Sequence, residues 1–147
     1  RVLFRSVYEN AYSARSIRLG HTASKKRMMP MKISDIARLL DADIMCGEDL
    51  MDVEIRSACG SDLMSDVLAF VKDHTVLLTG LTNPHVVRTA EMLDVACVVF
   101  VRGKRPTPDI IDMAVERDMC IMSTHHTLYV ACGILYQNGL PGGPGKK

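Results

Sequence analysis

Short apolar runs alternate with amphipathic segments along most of the chain. Val76–Leu78 and Ala96–Val101 are apolar without interruption, as expected of parallel strands that are covered on both faces. Between them, apolar residues from Val86 to Leu93 recur at roughly helical spacing. The stretch from Thr75 to Gly103 therefore predicts a strand–helix–strand crossover.

The same alternation continues on both sides of this crossover. Predicted helices are Asp35–Leu40 with Ser34 as N-cap, Asp62–Val71, one that begins at Pro106–Pro108, and Thr127–Tyr136, which Gly139 closes; predicted strands are Ala42–Cys46, Val53–Ala58 and Met119–Met122. Leu63 and Leu68 are assigned to a buried helix face, as is Met92 in the crossover. The fold class predicted is α/β, with a mostly parallel central sheet and helices on both faces in one compact domain.

Composition agrees with an ordinary soluble domain. The chain has 147 residues, of which 48% are apolar and 24% charged, and this length suggests a single domain with a real core. No apolar run approaches the roughly 18 residues that span a bilayer, so we expect no membrane partner. The five cysteines form no CxxC pair. We interpret them as buried reduced thiols, which predicts a cytoplasmic protein.

The net charge of +1 hides a break in composition. Residues 1–30 contain seven Lys/Arg and one acid, whereas residues 31–147 contain eleven and sixteen. A basic arm can bind nucleic acid or anionic lipid, or act as a transit peptide. However, Arg1–Ser6 looks like the translation of a common short-read sequencing adapter, and Met31 begins a stretch typical of a protein start. Residues 1–30 are therefore predicted to be a non-native or disordered leader, and the acidic remainder predicts no nucleic-acid partner.

The predicted domain occupies residues 31–140, and a Gly/Pro-rich disordered tail is predicted at 141–147. In open parallel sheets, ligands bind beyond the carboxyl ends of the strands. Four loops of this domain are expected there, and they are rich in hydroxyls, histidines and basic side chains that can receive a phosphate or carboxylate. The candidate ligand-binding residues are Ser61, Thr79, Thr82, Asn83, His85, Arg102, Lys104, Arg105, Ser123, Thr124 and His125. The same residue types also cap helices in the absence of any ligand.

Signatures of specific chemistry are missing. The chain has no P-loop, no GxGxxG after a strand and no GxSxG elbow. His125 and His126 are adjacent and point in different directions on an incipient helix, so they make a poor metal pair. Asp62 and Asp66 are interpreted as acids of one solvated helix turn. We therefore predict no catalytic residue, no metal and no cofactor.

From Met31 to about Leu140 the chain resembles a stand-alone DRTGG domain. The resemblance lies in MKISDIARLLDADIMCGED, SDLMSDVLAFV, TGLTNPHVVRTAEMLDVACVVFVRGKRPTPDII and MCIMSTHHTLYVACGIL. At the positions that name the family, this chain has Asn83-Pro84 in place of Asp-Arg and Val101-Arg102-Gly103 in place of Thr-Gly-Gly. The family occurs in some phosphotransacetylases and in CBS-domain pyrophosphatases, and is similar in fold to the N-terminal domain of HPr kinase/phosphorylase.

This resemblance implies a non-catalytic regulatory or adaptor domain. The expected protein is homodimeric, binds a small anionic metabolite or nucleotide at the loops, and acts on a separately encoded enzyme or signalling protein. One alternative is a structural dimerisation module without a ligand. A second alternative is a small enzyme that uses the loop histidines on a phosphorylated substrate.

Overall fold

A five-stranded sheet forms the centre of the protein in a computed structural model, which describes residues 29–72 and 74–143. Its strand order is β2-β7-β6-β5-β4, in which β2 is antiparallel to β7 and all other neighbours are parallel. The short strands β1 and β3 form a separate antiparallel pair. The strands are β1 (Met31–Lys32), β2 (Asp43–Cys46), β3 (Glu54–Ile55), β4 (Ser57–Gly60), β5 (Thr75–Thr79), β6 (Cys97–Phe100) and β7 (Cys120–Ser123).

Helices cover both faces of this sheet, which confirms the predicted fold class. They are α1 (Ile33–Leu39), α2 (Met64–Phe70), α3 (Pro84–Met92), α4 (Pro108–Glu116) and α5 (Leu128–Gln137), with a 3₁₀ turn at Glu48–Leu50. Helices α2, α3 and α4 connect consecutive parallel strands and pack on one face of the sheet. Helices α1 and α5 pack on the other face. The crossover predicted at Thr75–Gly103 is the unit β5-α3-β6.

The central strands are buried on both sides, because successive side chains point to opposite faces. Leu77, Val98 and Phe100 belong to the core under α2, α3 and α4. Leu78 and Val99 belong to the core under α1 and α5. All five are fully buried. This explains why β5 and β6 are uninterrupted apolar runs in the sequence.

Three helices end in a left-handed residue that is not glycine. Asp41, Asp94 and Asp118 follow α1, α3 and α4 with φ of 47°, 54° and 50°. After each, the next amide closes the helix end: Val95 N, for example, donates to Ala90 O at 2.9 Å. Gly139 with φ 100° does the same after α5. Aspartate tolerates this conformation better than most side chains, so the chain turns sharply without glycine.

Several predicted elements differ from the structure. Helix α1 begins at Ile33 with Lys32 at the N-cap, so Ser34 is inside the helix; Lys32 N donates to Asp35 Oδ2 at 3.2 Å. The strand predicted at Val53–Ala58 is two strands, since β3 pairs with β1 and β4 pairs with β5.

The second predicted helix is shorter than expected. Helix α2 begins at Met64, so Asp62 lies before it and does not share a helix face with Asp66. Leu63 and Leu68 are 57% and 42% exposed, against the prediction that they are buried. In the crossover helix α3, Met92 is likewise exposed. Periodicity alone marked these apolar residues as core, but no element of the described part of the chain packs over them.

The region after α5 is bound to the sheet edge. Leu140 is buried, Ala58 N donates to Pro141 O at 2.9 Å, and Gly142 forms a parallel bridge with Ala58. A disordered tail beginning at residue 141 is therefore wrong for residues 141–142. Residues 144–147, and residues 1–28 of the predicted leader, lie outside the described residues, so those parts remain predictions.

All five cysteines are free thiols, as predicted: Cys46, Cys97 and Cys120 are buried, and Cys59 and Cys132 are half-buried. Desolvation raises the pKa of Cys46, Cys59 and Cys132 above the ordinary value. A hydrogen bond with Cys120, together with burial, raises the pKa of Cys97. Neutral thiols act as small apolar side chains here.

Within the described part of the chain, each helix falls short of the length and apolarity needed to cross a bilayer.

Candidate functional site

The four loops that contain the candidate residues lie along one edge of the sheet. In the register of the parallel strands, Thr79 is opposite Phe100, and Phe100 is opposite Ser123. The carboxyl ends of β4, β5, β6 and β7 therefore form a continuous rim, which consists of residues 61–63, 80–83, 101–107 and 124–127. Asp43, at the start of antiparallel β2, pairs with Ser123 and also lies at this rim.

In the half of the rim that follows β4 and β5 (the β4–β5 half), polar groups bind one another. Asp62 Oδ1 accepts a hydrogen bond from Thr79 Oγ1 at 3.0 Å and another from Gly80 N at 2.7 Å. Thr79 Oγ1 also accepts from Leu81 N at 3.1 Å. The Asp62 carboxylate is therefore already bound to the backbone N–H group of Gly80, where an anionic ligand would otherwise bind.

The remaining candidates of this half cap and turn the chain. Asn83 is the N-cap of α3, and its Oδ1 accepts from His85 N at 2.9 Å. Ser61 Oγ accepts from Leu63 N at 3.1 Å in the turn before α2. Thr82 is half-buried, and the imidazole of His85 is exposed. Ser61, Thr79 and Asn83 thus have structural roles that explain their residue types.

The half of the rim that follows β6 and β7 (the β6–β7 half) presents cationic side chains. Arg102 has a left-handed backbone with φ 60°, and its amide donates to His126 O at 2.8 Å. Its guanidinium extends across the rim to β5: a Cβ placed on Gly80 would stand 2.5 Å from Arg102 Nη2. Among the described residues, no carboxylate forms an ion pair with Arg102. Only a glycine at position 80 leaves this space open.

His125 lies beside Arg102 in the same half. Gly103, with φ 68°, donates its amide to Thr124 O at 2.8 Å. A Cβ on Gly103 would stand 3.2 Å from His125 Nδ1, so the exposed imidazole rests against this glycine. Consecutive left-handed residues at 102 and 103 thus lie at a turn where the arginine reaches Gly80 and the histidine rests against Gly103.

Hydroxyls of the β6–β7 half hold its loops in place. Ser123 Oγ donates to Lys104 O at 2.7 Å, and the Lys104 side chain is exposed. Thr124 Oγ1, which is buried, donates to Leu40 O at 2.7 Å and so connects the rim to the end of α1. The guanidinium of Arg105 forms an ion pair with Asp43.

The structure thus divides the eleven candidates by their partners. Six are engaged in hydrogen bonds or an ion pair within the chain: Ser61, Thr79, Asn83, Arg105, Ser123 and Thr124. Arg102, Lys104, His125 and His85 have exposed side chains that can meet a ligand, and the eleventh candidate, Thr82, is half-buried. Asp62 was missed as a rim residue, because its position resembled the first turn of a helix. The described residues contain no group of three or more His, Cys, Asp or Glu that could hold a metal ion.

These observations define a compact α/β domain that has a polar, partly cationic rim and no metal cluster in its described part. Residues 35–137 match the model of the DRTGG domain family. The chain belongs to this family, which confirms the resemblance found in the sequence.

A solved structure shows the same fold. It is the crystal structure of the CBS and DRTGG domains of the regulatory region of Clostridium perfringens pyrophosphatase, complexed with the activator diadenosine tetraphosphate. The similarity has a TM-score of 0.62 at 15% sequence identity and covers 90% of this chain. This chain spans 57% of the length of that one. No match was found among curated proteins.

Proposed function

We propose that this protein is a non-catalytic regulatory module of the cytoplasm, homodimeric, whose rim binds a small anionic metabolite or nucleotide. Its partner in this proposal is a separately encoded enzyme or signalling protein. Family membership supports the regulatory role, since the DRTGG domain of the similar pyrophosphatase structure belongs to a regulatory region. The chemistry of the rim supports the anionic ligand.

The observation that most strongly supports a ligand is the conformation of Arg102. Among the residues that the structure describes, five other than glycine have positive φ, and four of these are aspartate or histidine, which tolerate this region. Arg102 is the exception. For an arginine, the left-handed backbone conformation costs on the order of 1–2 kcal/mol. In this conformation the exposed guanidinium lies over Gly80. Arginine in this arrangement suits bidentate binding of phosphate or carboxylate.

The ligand is expected at the β6–β7 half. The loop between Thr79 and His85, in the other half, also precedes a helix. Its amides at Gly80, Leu81 and His85 are already bound to Asp62, Thr79 and Asn83. Arg102, Lys104 and His125 present positive or ionisable groups with no ion-pair partner among the described residues.

A thermal-shift screen of the full chain with nucleotides and phosphorylated metabolites tests this function. A ligand at a hundredfold excess over its dissociation constant stabilises the folded state by about 2.7 kcal/mol. Each ligand that stabilises the protein is then titrated by calorimetry. No stabilisation by any anion would contradict the ligand-binding function.

Two variants and a control locate the site. Gly80→Ala should weaken binding at least about tenfold, a loss of about 1.4 kcal/mol, because the new Cβ would push the guanidinium of Arg102 out of its position. The fold should be unaffected, since only the end of a flexible side chain has to move. Arg102→Asn should do the same, since asparagine keeps the left-handed backbone and removes the guanidinium. Arg56→Gln is the matched control: Arg56 is exposed and precedes β4, at the opposite edge of the sheet. A loss of affinity in Arg56→Gln as large as that in Arg102→Asn would show that only net charge matters.

The enzyme alternative gains no support from this geometry. His85 lies in the first turn of α3 and His125 in the loop after β7, and within the described residues neither imidazole hydrogen-bonds to a carboxylate or hydroxyl that could orient it for proton transfer. The structural-module alternative is favoured by one feature, the exposed face of α5.

A further inference from the structure

Helix α5 has an apolar face that residues 29–72 and 74–143 leave uncovered. Leu128–Gln137 contains no charged residue, yet the helix fully buries only Ala131 and Leu135. On the opposite side, Tyr129 is 88% exposed, Tyr136 66% and Val130 43%. A surface helix normally has charged or polar residues on that side. The composition of α5 is that of a helix with protein on both sides.

Gly133 lies in the middle of this exposed face. Glycine inside an exposed helix costs about 1 kcal/mol relative to alanine. A Cβ on Gly133 would meet nothing within 4 Å, so contacts within the described chain do not explain it. A residue without a side chain is used where another surface approaches the helix backbone closely. Spacing of four and three residues places Tyr129, Gly133 and Tyr136 on the same side of α5. We call Tyr129, Val130, Gly133 and Tyr136 the α5 surface.

An open groove of about 870 Å³ runs along this surface, between α5, β4 and the segment after α5. Strand β4 is the edge of the sheet, but Pro141 O and Gly142 already pair with Ala58. At Ala58, therefore, the edge is not open to a further strand. An occupant of the groove would pack against the side chains and backbone of α5.

We propose that the occupant is the α5 surface of a second copy of this chain. The surface contains both the projecting groups, Tyr129 and Tyr136, and the depression that can receive them, at Gly133 and the groove. Two-fold symmetry requires such self-complementarity, because each residue i that contacts j is matched by j contacting i. The surface also has no charge that would be repelled by, or buried against, its own copy.

The area available is of the right order. At 88% and 66% exposure, the two tyrosines present roughly 300 Å², taking about 200 Å² for each side chain. A standard interface buries about 800 Å² per partner. Two residues thus supply more than a third of what a stable dimer needs, and tyrosines are common anchors of interfaces.

This proposal identifies the interface of the homodimer included in the proposed function, and its test does not depend on the rim ligand. The full chain is examined by sedimentation equilibrium over a wide range of concentrations. Gly133→Leu should weaken the dimer at least about 30-fold, the loss typical of a hot-spot residue. A Cβ at position 133 meets nothing within 4 Å among the described residues, and leucine is a better helix former than glycine, so the thermal midpoint of the monomer should not fall. Tyr129→Glu should have the same effect, by placing a charge in the interface.

Met92→Glu is the matched control, because Met92 is 74% exposed on α3 and lies outside the α5 surface. It should leave the dimer intact. A wild-type chain that is monomeric at every concentration, whatever else its groove binds, would overturn the proposal. A dimer that survives both Gly133→Leu and Tyr129→Glu would overturn it as well. Loss of dimer with unchanged anion binding would separate this interface from the rim.

Discussion

In the β4–β5 half of the rim the polar groups bind one another, whereas the β6–β7 half presents its charged groups to solvent. Both halves follow parallel strands and both contain hydroxyls, a histidine and a glycine. In the β4–β5 half, the Asp62 carboxylate accepts hydrogen bonds from Thr79 Oγ1 and Gly80 N, so these donors already have partners. In the second, hydroxyls hold the loops by donating to carbonyls of Lys104 and Leu40, and Arg102 and His125 remain exposed. The difference is that the Asp62 carboxylate accepts from a backbone N–H group of the loop, whereas the carboxylate of the other half, Asp43, pairs with Arg105 and leaves Arg102 without an ion-pair partner among the described residues.

The comparison shows that residue type at the end of a strand does not distinguish a ligand-binding group from a structural one. Thr79 and Thr124 are both buried threonines at the rim, and each has a partner inside the chain. What separates the halves is which donors remain after internal partners are satisfied. Stability should therefore depend most on one half, and ligand affinity on the other.

Removing the carboxylate of the β4–β5 half should have the largest effect on stability. Asp62→Ala leaves Thr79 Oγ1 and Gly80 N without their acceptor, and should lower the free energy of unfolding by about 2 kcal/mol. Chemical denaturation measures this value. Asp66→Ala, which removes an exposed acid of α2, should cost well under 1 kcal/mol. Equal losses of stability in the two variants would mean that the hydrogen bonds of Asp62 with Thr79 and Gly80 do not stabilise the β4–β5 half.

A smaller loss is expected from the buried hydroxyl of the β6–β7 half. Thr124→Val keeps the shape of the side chain but removes the 2.7 Å hydrogen bond to Leu40 O. The free energy of unfolding should fall by about 1.5 kcal/mol, since the carbonyl remains buried without this donor. Thr82→Val is the control, because its hydroxyl has no hydrogen-bond partner in the described part of the chain. A Thr82 loss as large as that of Thr124 would remove the distinction between structural and free hydroxyls.

The smallest effect is a gain, and it tests whether Arg102 is strained. Arg102→Gly should raise the free energy of unfolding by about 0.5–1 kcal/mol, because glycine adopts positive φ without a steric penalty. Asp118→Gly, at φ 50° in the turn after α4, should gain less, since aspartate tolerates this region. A destabilised Arg102→Gly protein would indicate that the guanidinium contributes to folding, which would weaken the argument for a ligand.

The sequence by itself determined the sheet, the helices that cover it and the position of the rim. Uninterrupted short apolar runs such as Cys97–Phe100 are typical of strands buried on both faces, and alternation with helices indicates that these strands are parallel. Parallel strands then bring loops far apart in sequence to one edge. The family resemblance was available for the same reason, since it consists mainly of this strand–loop–helix pattern.

Only the tertiary structure decided how the polar groups of that edge are paired. Asp62 is 17 residues from Thr79, and Thr124 is 84 from Leu40, so no local pattern links them. Periodicity also could not show that Leu63, Leu68 and Met92 are exposed, or that Gly133 faces open space. Burial and hydrogen-bond partners depend on which elements pack together, whereas spacing along the chain depends only on the element itself.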